Sequence, residues 1–257
     1  MKIIMLSILS LLLSIISVSA FSNVVLYEQD FENPTGYING NGDASLQSVN
    51  ALYGDQPTGF SFAQKKTVET LYISGNEAYG TGYLDSSRQG GNYALGMQNS
   101  PQNDLIGLSF NVGHYDFLNF MADISSIELS SWGPHGVIGT PIFEFTLFDN
   151  PTGVNGTGSG KVLDSGVASG TASDVDTFDW SSVLLPLETD GNTNGNVTLR
   201  IDLLGGGYAA IDNLLIVASD IPNDVQVPEP SSIFLLSLGL IGLMMNRRKT
   251  LTNPHIF

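Results

Sequence analysis

The stretch Ile142-Phe143-Glu144-Phe145-Thr146-Leu147-Phe148 decides the fold class. Phe143, Phe145 and Leu147 alternate with Glu144 and Thr146, a period of two that puts the two sets on opposite faces of an extended chain. Leu199, Ile201 and Leu203 repeat the pattern against Arg200 and Asp202. Outward from these two segments, β-branched and aromatic runs predict further strands at Val24–Tyr27, Val68–Ile73, Tyr93–Met97, Leu105–Val112, Phe117–Ile124, Ile127–Ser131, Val162–Ser165, Ser182–Leu187 and Ala209–Ala218. Clusters of Gly, Asn, Asp, Ser and Pro separate the runs and supply the turns. No segment of 21–227 carries an apolar stripe of helical period over three turns, and no internal repeat is visible. The expectation is an all-β protein with one domain at 21–218. Many short strands with frequent turns point to an antiparallel β-sandwich of jelly-roll type, which limits exposed sheet edges.

Both ends of the chain carry addresses. Met1-Lys2 precedes an apolar run from Ile3 to Val18, and Val18-Ser19-Ala20 offers small residues to signal peptidase. Residues 1–20 therefore read as a signal peptide, a signal helix cleaved between Ala20 and Phe21. At the other end, Val227-Pro228-Glu229-Pro230-Ser231-Ser232 leads into the uncharged run Ile233 to Met245 and then Asn246-Arg247-Arg248-Lys249. As a helix, residues 231–245 rise about 22 Å. Flanking residues must contribute for this to cross a hydrocarbon core of about 30 Å. Arg247, Arg248 and Lys249 belong on the cytoplasmic side of the inner membrane and the body on the other. Residues 219–227, with Asp220, Pro222, Asn223 and Asp224, read as a linker, 228–249 as a transmembrane sorting segment and 250–257 as a cytoplasmic tail.

Charge narrows the partners. Between 21 and 227 stand five basic residues, Lys65, Lys66, Arg88, Lys161 and Arg200, against 24 acids, a formal charge of −19. Such a body repels phosphate backbones, which excludes nucleic acid, and attracts cations, calcium above all. The chain has no cysteine, so an exported form has neither a disulfide framework nor a thiol nucleophile.

The Pro228-Glu229-Pro230 element, the greasy run and the basic stop together resemble the PEP-CTERM sorting signal, which implies recognition and cleavage by the membrane protease exosortase. The tail departs from that pattern by continuing from Thr250 to Phe257. Phe31-Glu32 near the mature start and Ala210-Ile211-Asp212-Asn213-Leu214 in the last strand look like the ends of galactose-binding-like, carbohydrate-binding jelly rolls. That resemblance implies a structural calcium ion shared by Glu32 and Asp212, with first and last strands adjacent; the alternative has both carboxylates capping turns through backbone N–H groups. Together the resemblances imply a non-catalytic glycan-binding or structural module at the cell surface or in an extracellular polysaccharide matrix, a biofilm component.

Other constellations carry narrower expectations. Glu28-Gln29-Asp30-Phe31-Glu32 places three carboxylates two residues apart on one strand face. It resembles the Glu-x-Asp-x-Glu motif of laminarinase-like glycoside hydrolases, whose outer glutamates act as nucleophile and acid/base. Gln29 stands where that family has an aliphatic residue. Tyr79, Tyr83 and Arg88 in the Gly- and Tyr-rich stretch 72–93, with Trp132, could stack on and hydrogen-bond a sugar. Asp190-Gly191-Asn192-Thr193-Asn194-Gly195 matches the first half of a calcium loop, but Ile201 occupies its twelfth position, so a hairpin turn is the better reading.

Overall fold

Alternating patterns become twelve strands and one short helix in a computed structural model that describes residues 23–40, 44–54, 56–57, 59–65, 68–75, 84–99, 104–127, 139–174 and 177–225. The order is β1 (Val24–Gln29), β2 (Ala44–Ser45), α1 (Val49–Leu52), β3 (Ser61–Lys65), β4 (Glu69–Tyr72), β5 (Tyr93–Gln98), β6 (Leu105–Asn111) and β7 (Phe117–Ser126). There follow β8 (Ile142–Asp149), β9 (Val162–Ser169), β10 (Ser181–Glu188), β11 (Asn196–Gly205) and β12 (Tyr208–Ser219). One sheet runs β10-β7-β12-β5-β4-β2, with β1 also paired to β12; the other runs β3-β6-β11-β8-β9. All pairings are antiparallel. The fold is the expected all-β sandwich.

The period-two faces meet between the sheets. Phe143, Phe145, Leu147, Leu199, Ile201 and Leu203 are all fully buried, and the Phe145 ring lies 4.7 Å from that of Phe120 on β7. Each large apolar side chain so buried contributes about 2 kcal/mol by removal from water. A smaller apolar cluster covers the outer face of the seven-stranded sheet. There Phe178 and Trp180 stack at 5.4 Å over Leu71, Ala94 and Ala210.

The polar faces are drier than alternation implies. Thr146, Ser109 and Thr198 point away from the core yet are buried, because residues 150–161 fold back as a flap over the five-stranded sheet. Gly107 permits this: a Cβ there would stand 2.1 Å from the Gly156 carbonyl oxygen.

Several elements differ from the sequence reading. β7 runs to Ser126 and Ile127 lies beyond its end, and the rest of the expected strand, 128–131, falls outside the described residues. β3 presents a single large inward residue, Phe62, too weak a pattern to read as a strand. α1 is one turn long, capped by the Ser48 side chain, and carries no stripe. Residues 220–224 lie against the domain: Asn119 Nδ2 donates to the Ile221 and Asp224 carbonyls at 3.1 and 3.2 Å, and Asn23 donates to the Asp224 carboxylate. The signal peptide, the Ala20–Phe21 bond and the whole sorting segment, Pro228, Glu229, Pro230, Arg247, Arg248 and Lys249 included, lie outside the described residues.

Candidate functional site

β1 pairs with β12 up to Gln29 opposite Leu214, so the chain beyond β1 reaches Asp212. There the strand breaks. Phe31 has φ +53°, held by its own N–H donating to the Gln29 side chain at 2.9 Å and by Tyr53, whose hydroxyl donates to the Phe31 carbonyl at 2.8 Å. Burial holds the Tyr53 hydroxyl well above the usual phenol range. The left-handed step ends the alternation and divides the three carboxylates expected on one face. Glu28 and Asp30 border a hollow of about 370 Å³ with Tyr27, Asn33 and Tyr53, while Glu32 turns toward the loop before β5.

Glu32 Oε1 accepts the backbone N–H groups of Asn92 at 2.6 Å and Tyr93 at 3.2 Å, and Oε2 accepts the Asn92 amide at 2.6 Å. Gly91 (φ +61°) makes room, since a Cβ there would lie 2.1 Å from Oε1. Buried Asp85 organises the same loop by accepting from Ser87 N–H, Ser87 Oγ, Gly90 N–H and the Trp180 indole.

Asp212 is fully buried at a bulge in β12. Its Oδ1 accepts the N–H of Asn213 (φ +50°) at 2.7 Å, and its Oδ2 has no hydrogen-bond partner. Asn213 Nδ2 donates to Asp123 at 2.8 Å and to the Gln89 carbonyl at 3.3 Å. Burial pushes the Asp212 carboxyl up to about 9; the Asn213 N–H opposes this, and the charges of Glu32, Asp123 and Asp30 add to it. The structure thus brings Glu32 and Asp212 together, and each also bonds a backbone N–H, as the capping alternative requires.

A calcium ion can be tested against these donors. Among the described residues no three carboxylate or imidazole groups gather as a ready metal cage. Yet every donor here is a hard oxygen, and a buried carboxylate oxygen left unpartnered costs free energy that a cation would recover. Such an ion would take Asp212 and Glu32 as its carboxylates.

Beside Glu32 stands a feature missed in the sequence. Tyr93 on β5 pairs across the ladder with Tyr72 on β4, their ring centroids 5.5 Å apart, and Tyr37 meets Tyr93 edge-on at 5.1 Å. All three rings are half-buried. Tyr72 and Tyr93 bracket the Tyr-rich stretch already singled out, but only strand register reveals that they touch. Arg88 is exposed at a turn and lines a separate hollow of about 570 Å³ with Ser74, Asp85 and Asn92. Tyr79, Tyr83 and Trp132 lie outside the described residues.

The 190–195 segment joins β10 of one sheet to β11 of the other, so it crosses between sheets where a hairpin was expected. Asn192 Oδ1 accepts from Asn194 N–H at 3.2 Å and from Gly195 N–H, and Thr193 is held by Asp149. Its amide oxygens close the turn.

No curated protein sequence matches the chain. Among solved structures, the apo form of a cyclase from Fischerella sp. is 10% identical with a TM-score of 0.47, covering 79% of this chain and 99% of that one. The C-terminal family 22 carbohydrate binding module of Clostridium thermocellum Xyn10B is 13% identical with a TM-score of 0.40, covering 79% and 97%. The CBM22-1 xylan-binding domain from Paenibacillus barcinonensis Xyn10C is 11% identical with a TM-score of 0.35, covering 78% and 97%. Residues 226–249 match the family model of the PEP-CTERM protein-sorting motif, so the sandwich is followed by a PEP-CTERM tail.

Proposed function

We propose that the protein is exported and held as an inner-membrane precursor by its PEP-CTERM tail. Exosortase then processes it, and it works at the cell surface or in the extracellular polysaccharide matrix as a non-catalytic glycan-binding module. The observation that supports binding is the Tyr37–Tyr93–Tyr72 ladder. Aromatic faces beside polar groups suit a pyranose, whose C–H faces stack on rings while its hydroxyls take hydrogen bonds. Asn92 and Ser74 flank these rings and supply an amide and a hydroxyl.

Calcium belongs to this reading as a structural ion. Glu32 and Asp212 would hold it, and its positive charge would favour the ionised form of Asp212 where the end of β1 meets β12. Because Glu32 accepts the Asn92 and Tyr93 N–H groups, order at Glu32 would pass to the tyrosine ladder.

Affinity electrophoresis in gels cast with the host's own exopolysaccharide tests the proposal. Tyr37→Ala and Tyr72→Ala should each weaken retardation about fivefold, the loss of roughly 1 kcal/mol of ring contact. Retardation unchanged in both variants, or release of reducing ends from the polysaccharide, would overturn it.

A further inference from the structure

Basic side chains are scarce in the body, and three of its five, Lys65, Lys161 and Arg200, sit on or beside the outer face of the five-stranded sheet. The flap of residues 150–161 crosses that face with its tip over Gly107, and a hollow of about 660 Å³ runs along it. Lys161 stands at the flap's base, where its carbonyl accepts from Asp149 N–H; Lys65 stands beyond the tip, in register with Leu105 and Asp202. Asp149 is opposite Val197, so the two lysines lie five residues apart along β11, roughly 16 Å in the strand direction.

Apart from Asp149, the lining between them carries no charge. Asn150, Asn155, Thr157 and Thr198 contribute amides and hydroxyls. Asp149 also borders the hollow, but Thr193 N–H and Oγ1 occupy its carboxylate. Both lysines are exposed, and neither pairs with a carboxylate of the described residues; Lys161 Nζ donates only to the Gly191 carbonyl, at 3.0 Å. Beneath the flap, the Arg200 guanidinium stacks 4.8 Å over Phe148 and stands 3.9 Å from Glu144.

We propose that this hollow is a second glycan site, selective for acidic saccharides whose uronate carboxylates are spaced along a hydroxyl-rich chain. The inference rests on the glycan-binding reading above. Two cations at either end of a stretch of amides and hydroxyls match a chain that carries both carboxylates and many hydroxyls. A polyanion without hydroxyls would leave those amides and hydroxyls unmatched and still face a body of −19.

Affinity electrophoresis with polygalacturonate, neutral galactan and polyaspartate as probes separates the outcomes. The wild-type domain should bind polygalacturonate more tightly than galactan, and this margin should shrink as salt rises from about 50 to 300 mM. Lys65→Gln with Lys161→Gln should weaken polygalacturonate binding about tenfold, the loss of a charge-assisted contact, and leave galactan binding unchanged. Both lysines are exposed, so the double variant should melt like wild type. Galactan bound as tightly as polygalacturonate, or polygalacturonate binding unaffected by the double substitution, would overturn the acidic-saccharide site alone. Polyaspartate bound as well as polygalacturonate would reduce it to a general anion patch. Binding to none of the probes or to the host polysaccharide would overturn the glycan-binding reading as well.

Discussion

Asp212 keeps its proton at neutral pH when no cation is near. The unfolded carboxyl titrates around 3.8 and the folded one around 9, so between these values the folded state holds the extra proton. Stability of the calcium-free protein should therefore fall as pH rises through that window, by up to about 1.4 kcal/mol per pH unit. Buried Glu69, raised first by burial and then by Asp104 and opposed by its hydrogen bond from Tyr208, adds a slope of the same sign. Asp212→Asn should flatten most of the slope in urea melts at pH 5, 7 and 8.5; an unchanged slope would move its origin elsewhere. Saturating calcium should abolish it in wild type. A ligand at a hundredfold excess over its Kd stabilises by about 2.7 kcal/mol, so chelation should lower the melting temperature by several degrees. Melting curves indifferent to calcium and chelator in wild type and Asp212→Asn would leave Glu32 and Asp212 as turn caps. That the end of β1 comes close to β12 was suggested by two short end motifs. The unpartnered Oδ2 was not, because it follows from how the 85–92 loop closes over β12.

Strands with strict alternation read correctly: β8 and β11 are buried on the side their sequence predicts. β3 and α1 escaped because a single Phe and a single turn carry too little pattern. Phe31 shows a different limit. Nothing in Glu28-Gln29-Asp30-Phe31-Glu32 announces a left-handed residue, yet φ +53° there changes which way Glu32 faces and separates it from Glu28. The flap shows the same limit at Gly107, whose lack of a side chain matters only once residues 156 and 157 lie on it. Gly107→Ala should cost about 1–3 kcal/mol, because a Cβ there meets backbone that has to move. Gly156→Ala meets nothing within 4 Å and should be close to neutral. Denaturant midpoints would check the contrast, and limited proteolysis should find residues 150–161 cut sooner in Gly107→Ala. Equal midpoints would mean the flap does not seat on β6 as described.

For the whole molecule, the C-terminal tail was the most readable part, because a sorting signal is local and a packed sandwich is not. Deleting the host's exosortase should leave the full-length precursor in the membrane fraction; unchanged size and distribution would argue against processing at Pro228-Glu229-Pro230. Intact-mass analysis of protein recovered outside the inner membrane should find Phe21 as its first residue, and retained Met1 to Ala20 would refute cleavage there. The clasp at the C-terminal edge has a mechanical consequence. β12 is hydrogen-bonded along both edges, to β7 on one side and to β1 and β5 on the other, and Asn119 on β7 grips the chain just past its end. A tensile load entering at Val225 first meets the Asn119 clasp and then a strand bonded on both sides. Pulling β12 out from that end breaks ladder bonds on both of its edges, where an edge strand would lose one ladder alone.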